Sequence, residues 1–242
     1  MPDINFGSLQ DTNAFPYGLV IKSGQYQNLG AWEAVGYNAD VGSNFETIWD
    51  GSNTYTYPSA ATTMNVVAQA TSPATDNGVE ITIIGLDASY NEITETVTLG
   101  DDSAGGTSTT QEFLRINRAY VSNDSAPTDD ITIEQDGTVY AQITYPYNTT
   151  QQAVYTVPAG KRGYLVYASV SLEKQKEVVA KFMTRTPGGI LITGGIIGTT
   201  GSYQRHWVLP PVLDEKTDIE IRAKAGATTS ISASLQVLLE DK

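Results

Sequence analysis

Between Val79 and Gly100 the sequence reads VEITIIGLDASYNEITETVTLG, two alternating runs on either side of a polar turn. Val79, Ile81 and Ile83 fall on one side of the first run, opposite Glu80 and Thr82. In the second, Thr94, Thr96 and Thr98 oppose Ile93, Glu95, Val97 and Leu99. A period of two puts successive side chains on opposite faces, so each run predicts a half-buried β-strand and the pair a hairpin. The same alternation returns at Met64, Val66 and Ala68, at Ile219, Ile221 and Ala223, and at Ile231, Ala233, Leu235, Val237 and Leu239. DITIEQDGTVYAQI adds a second hairpin around Asp136-Gly137, a two-residue turn signal. Short strands with frequent turns predict a sandwich or barrel, and only LEKQKEVVAKFM could be helical.

The 242 residues allow two β domains. Residues 1–25 place Phe6, Leu9, Phe15, Tyr17 and Leu19 without a period, as expected of an irregular N-terminal arm that orders against another surface. Residues 26–145 form the first sandwich, and YPYNTTQQ marks the boundary with a Pro and a polar stretch. Residues 146–242 form a second, jelly-roll-like sandwich of roughly eight strands. There Tyr164, Val166, Ala168, Val170 and Leu172 share a face, VPAGK is a turn, and EKQKE tips a hairpin. The expected fold is therefore all-β, two consecutive antiparallel sandwiches behind an arm.

Residue chemistry narrows the function. The chain has no cysteine and a single histidine, His206, so thiolate sites and multi-histidine metal cages are excluded. MPDINFGSLQDTNAF lacks the basic and apolar regions of a signal peptide, and GGILITGGIIG is too short and glycine-broken to cross a bilayer as a helix. A soluble protein made in a cytoplasm is expected. Net charge of −13 argues against a nucleic-acid partner. Residues 1–145 hold 19 acids and 3 bases, a balance of −16, whereas residues 146–242 hold 8 acids and 11 bases, a balance of +3. That asymmetry predicts one domain facing solvent and the other an acidic partner surface.

Asp87, Asn91, Glu92 and Glu95 crowd one loop, yet Asp and Asn there are typical turn formers. Glu95 is the awkward one, facing inward with Val97 and Leu99. His206 lies in YQRHWVLPP with no G-x-S-x-G elbow anywhere, which reads as a strand residue beside Trp207. Asn123, Asp124, Asp129 and Asp130 could offer oxygens to calcium but lack the spacing of an EF-hand loop. The glycine clusters AGGT and PGGI lack a following Lys and Ser or Thr, so they are turns. Trp32, Trp49, Tyr55, Tyr57 and Trp207 would be the aromatics of a sugar-binding face, although Trp49 is expected in the core. The expectation is no catalytic, cofactor-binding or metal-binding residue.

Several stretches, NFETIWDGSNTYTYPSAATTMNVV, ITIIGLDASYNEITETVTLG, FLRINRAYVSN, DITIEQDGTVYAQI, YTVPAGKRGYL and LDEKTDIEIRA, together resemble virion structural proteins of tailed phages, particularly phages of aquatic bacteria. The resemblance runs from about Val41 to the C-terminus and rests on phrases rather than on a chemical motif. The charged EKQKEV departs from it, where a small polar turn is expected. The resemblance implies a non-enzymatic capsid cement or decoration protein that bridges capsid subunits from the virion exterior. A tail, connector or receptor- and carbohydrate-binding component is the alternative. The implied partners are the major capsid protein and further copies of the chain, a trimer in the first instance, with neither nucleic acid nor membrane.

Overall fold

The computed structural model describes residues 28–51, 53–69, 76–100, 106–173 and 176–242. The N-terminal arm lies outside the described residues. Among those described there is no helix, and seventeen strands, β1 to β17 in chain order, form antiparallel sheets.

The larger sandwich has two five-stranded sheets. One runs β1 (Leu29–Val41), β17 (Thr229–Asp241), β11 (Lys161–Leu172), β14 (Tyr203–His206), with β15 (Val212–Leu213) also on β11. The other runs β10 (Val154–Thr156), β16 (Asp218–Ala225), β12 (Val178–Arg185), β13 (Ile192–Thr199), with β2 (Glu46–Thr47) also on β16. Its core takes the expected inward sets Ile219, Ile221, Ala223 and Ile231 to Leu239. The smaller sandwich stacks the sheet β6 (Thr107–Phe113), β3 (Thr62–Ala68), β8 (Ile131–Gln135), β9 (Thr138–Ile143) on the sheet β5 (Glu92–Thr98), β4 (Glu80–Leu86), β7 (Arg115–Val121). Met64, Val66, Ile81 and Ile83 fill its core, as their alternation predicts. Each such aliphatic burial contributes about 1.5–3 kcal/mol.

The sandwiches are nested, which displaces the expected boundary between residues 26–145 and 146–242. β1 pairs along its length with β17, from Leu29 opposite Glu240 to Asn38 opposite Ile231, and β2 pairs with β16. Residues 29–47 therefore belong with the C-terminal half, and the smaller sandwich is inserted between β2 and β10. The reason it escaped the sequence is compositional. LGAWEAVGYNADV buries Ala34, Asn38 and Val41 but only half-buries Trp32, so no apolar stripe advertises its partner. Gly36 is needed there, because a Cβ would lie 2.1 Å from the Ile48 carbonyl oxygen and 2.4 Å from the Ala153 nitrogen.

Two local expectations change. A bulge between Leu165 and Tyr167 breaks the phase of β11, so Leu165, Ala168 and Val170 are buried while Tyr164 and Val166 are not. EKQKE does not tip a hairpin, since β11 and β12 lie in different sheets and the segment crosses between them. Lys174 and Gln175 within it lie outside the described residues.

Candidate functional site

Strand register assembles the most charged interior of the molecule. Asp218 begins β16, with Thr156 of β10 as its partner on one side and Arg185 of β12 on the other. Thr156 Oγ1 donates to Asp218 Oδ1 at 2.6 Å, and Arg185 donates to Oδ2 through Nε at 3.0 Å and Nη2 at 2.6 Å. The fourth member comes from the inserted sandwich. Arg115, at the start of β7, donates through Nε to Oδ1 at 2.8 Å and through Nη2 to Oδ2 at 3.1 Å. Its Nη1 donates to the carbonyls of Pro58 and Leu114. The Tyr57 ring lies under both guanidinium groups, 5.0 Å from that of Arg115 and 4.2 Å from that of Arg185.

Burial opposes the charge on Arg115, but the hydrogen bond and charge of Asp218 outweigh it and hold the guanidinium above its ordinary pKa. Two positions along β16, Glu220 is fully buried, taking Arg222 Nε at 2.6 Å and Thr47 Oγ1 at 3.3 Å. Burial raises its carboxyl pKa against the pull of Arg222. Burial likewise pushes the Tyr57 hydroxyl well above its usual value. Below this cluster, the Asn117 side chain of β7 donates through Nδ2 to the Thr156 carbonyl and accepts the Thr156 amide at Oδ1, and the Gln152 side chain donates to the Ile116 carbonyl. The two sandwiches are thus joined by buried, charge-assisted bonds, the class least easily replaced by water.

Two turns complete the junction. The Tyr90 carbonyl accepts the Ala159 amide at 2.8 Å, so the LDASYNE turn and the VPAGK turn are bonded to each other. The Tyr90 ring sits 5.5 Å from the Arg115 guanidinium and 5.7 Å from the Lys216 ammonium. Lys161 lies 3.8 Å from Glu92 and 2.9 Å from Asp241, and the hydrogen bond to Asp241 chiefly raises its pKa. Five of the stretches that carry the virion-protein resemblance, those holding Tyr57, Tyr90, Arg115, Lys161 and Asp218, therefore meet at one place. Beside it, Ala34, Asn117, Arg118 and residues 149–152 line an open cleft of about 290 Å³. Arg118 roofs it from above the Trp32 ring, which stacks on Tyr155.

Chemically, this arrangement binds one body to another. The Asp218 carboxylate accepts from Thr156 and from two guanidinium groups, one of them from the inserted sandwich.

The residues singled out in the sequence lie apart from one another. Asp87 accepts from the amides of Ser89 and Asn91 and from the Asn91 side chain, and this last bond leads in lowering its pKa. Glu95 accepts from the Thr110 amide and hydroxyl and from the Gln111 amide, tying β5 to β6, the edge strands of the two facing sheets. Its inward position, odd in the sequence, is what reaches across the sandwich. His206 is an exposed β14 residue against the Tyr167 ring, while Trp207 packs on Phe182. Asn123 bonds the backbone of Gly78 and Glu80, Asp129 caps the Asp130 amide, and Asp130 takes the Tyr145 amide and the Gln142 side chain. Among the described residues no three acidic or histidine side chains gather as a metal site. Trp49 and Tyr55 are buried against one another, and Trp32 and Trp207 pack on the larger core from separate strands, so the five aromatics make no exposed row.

Asp218 and Arg115 were not singled out, because TDIEIRA reads as an ordinary strand with its charges outward. The alternation is real but both faces are buried, one by the core and the other by the junction.

No protein family and no curated protein matches the chain. Solved structures with weak likeness come from virus particles. A chain of infectious bursal disease virus Gx strain has a TM-score of 0.24 and 11% identity, covering 87% of this chain and 71% of that one. The Gt strain of the same virus gives 0.24 and 10% over 88% and 72%, and its T13 particle 0.23 and 9% over 88% and 73%. Scores this low define no shared fold.

Proposed function

We propose that the chain is a structural component of a phage virion, a capsid cement or decoration protein that stabilises the head by bridging capsid subunits. The observation that carries this reading is the convergence of the virion-protein-like stretches on the Asp218 junction, where Arg115 of the inserted sandwich is bonded to Asp218 of the larger one and joins the two into one body. Such a body suits a part that must transmit load between neighbours. The inserted sandwich, residues 53–147, carries 13 acids and 2 bases, a balance of −11, and suits a solvent-facing outer lobe. The larger sandwich, residues 29–47 and 148–242, carries 11 acids and 11 bases, a balance of zero, and is the lobe better suited to contact with an acidic shell.

The test is attachment. Purified chain is added to capsids that lack it, and bound copies are counted by particle mass and by cryo-EM. Hundreds of copies on the head support cement, whereas six or twelve at a single vertex support a tail or connector piece.

A further inference from the structure

Nine large hydrophobic residues are exposed among the described residues, and six of them, Ile190, Ile192, Ile196, Val208, Leu209 and Val212, fall within one stretch of chain. The fold gathers that stretch along one side of the larger sandwich. β13 ends one sheet with β12 as its single partner, and β14 and β15 end the other on β11. The loop from Trp207 to Pro211 joins β14 to β15, both of which pair with β11. Trp207 touches Phe182, which stands opposite Gly195 in the register, while Thr184 on the same strand stands opposite Ile192. Val208 and Leu209 project beyond that contact with 97% and 88% of their surface exposed.

Charge singles out the same edge. From Val178 to Leu213 there is no Asp or Glu, in a chain with 27 of them. From Thr186 to Gln204 there is no charge of either sign. Edge strands are ordinarily guarded by charged side chains, and β13 has none.

We propose that this edge is where copies of the chain meet, edge against edge around a symmetry axis. Ile190, Ile192, Val208 and Leu209 alone expose on the order of 500 Å², while a standard interface takes about 800 Å² from each partner, a little over half of it apolar. The inserted sandwich brings a balance of −11 on each copy, so contact through its surface sets acid against acid, whereas this edge carries no acid. The apolar surface of matching size that a second copy offers is this same edge, and self-matching contact is the ordinary route to closed homo-oligomers. The proposal rests on the structural role above for its purpose and not for its test.

Sedimentation and light scattering of the full chain at increasing concentration give the result. Wild-type mass is expected to be a multiple of 26.0 kDa, with association tightening as salt screens the acidic bodies. Val208→Asp with Leu209→Asp removes no core contact, so it is expected to leave a folded chain of 26.0 kDa by circular dichroism and mass. Val35→Asp, on the far edge strand β1, is expected to keep the wild-type mass. A wild-type chain that stays at 26.0 kDa throughout, or a double variant with unchanged oligomer mass, overturns the proposal. So does a monomeric chain whose capsid attachment is lost in the double variant, which would assign the edge to the shell. An oligomer that forms as expected yet binds no capsid counts against the cement reading alone.

Discussion

Arg115 and Asp218, 103 positions apart in the chain, form a two-bond ion pair at 2.8 and 3.1 Å in which both side chains are almost wholly buried. A buried pair of this kind contributes modestly over an apolar replacement, but breaking one costs about 3–5 kcal/mol, toward the low end here because Arg185 still faces Asp218. Arg115→Ala is therefore expected to destabilise the chain by about 3 kcal/mol in urea unfolding and to separate the unfolding of the two sandwiches. Arg185→Ala is expected to cost less, because that side chain is partly open to water. A single, unshifted transition in Arg115→Ala would mean that the junction does not hold the sandwiches together.

Glu95 joins the open edges of the smaller sandwich. Burial pushes its carboxyl up, but the bonds from Thr110 and Gln111 outweigh it and leave the pKa lowered. A lowered carboxyl contributes stability above its unfolded pKa and loses it as pH falls through the folded one. Glu95→Gln is thus expected to cost about 1 kcal/mol at neutral pH, a charged hydrogen bond discounted for solvent. The difference from wild type should shrink as pH falls and vanish only at acid pH below the lowered folded pKa, where both side chains are neutral. It is read from paired urea titrations at neutral and acid pH.

Asp50 runs the other way. Burial raises its carboxyl from 3.8 to about 8, against hydrogen bonds with Gln151 and Thr144. The folded chain then holds a proton that the unfolded chain releases, so stability falls as pH rises from about 4 to about 8. Asp50→Asn keeps the size and removes the titration. It is expected to flatten that slope and to be more stable than wild type at pH 9, by an amount on the order of 2 kcal/mol. Parallel slopes in the two proteins would show that Asp50 is charged in the fold.

Gly36→Ala places a Cβ against backbone atoms of both Ile48 and Ala153, which cannot move without shifting β1. About 2–3 kcal/mol of destabilisation is expected in thermal unfolding. Gly198→Ala, with open space around it, is expected to be near neutral.

The sequence made the strands legible where a single apolar stripe meets a single core, as at Met64, Ile219 and Leu235, and it located the turns at Asp87 and Asp136. It hid what depends on partners distant in the chain. β1 has too few apolar positions to name its sheet, so the nesting of one sandwich in the other was invisible. Alternation placed Ile219, Ile221 and Ala223 inward but did not tell what covers Asp218 and Glu220 on the other face, because it records that two faces differ and not what lies against each. The phrases at Tyr90 and Ala159 were readable as turns, but their bond to one another exists only once both sandwiches are folded.

The central claim is that this body stabilises a phage head, and the most direct measurement heats particles with and without the chain. Genome release is followed by a dye that fluoresces on exposed DNA. Particles lacking the chain are expected to open at a lower temperature, and purified wild-type chain is expected to restore the original one. Identical release temperatures for both particles, unchanged by added chain, would contradict the account.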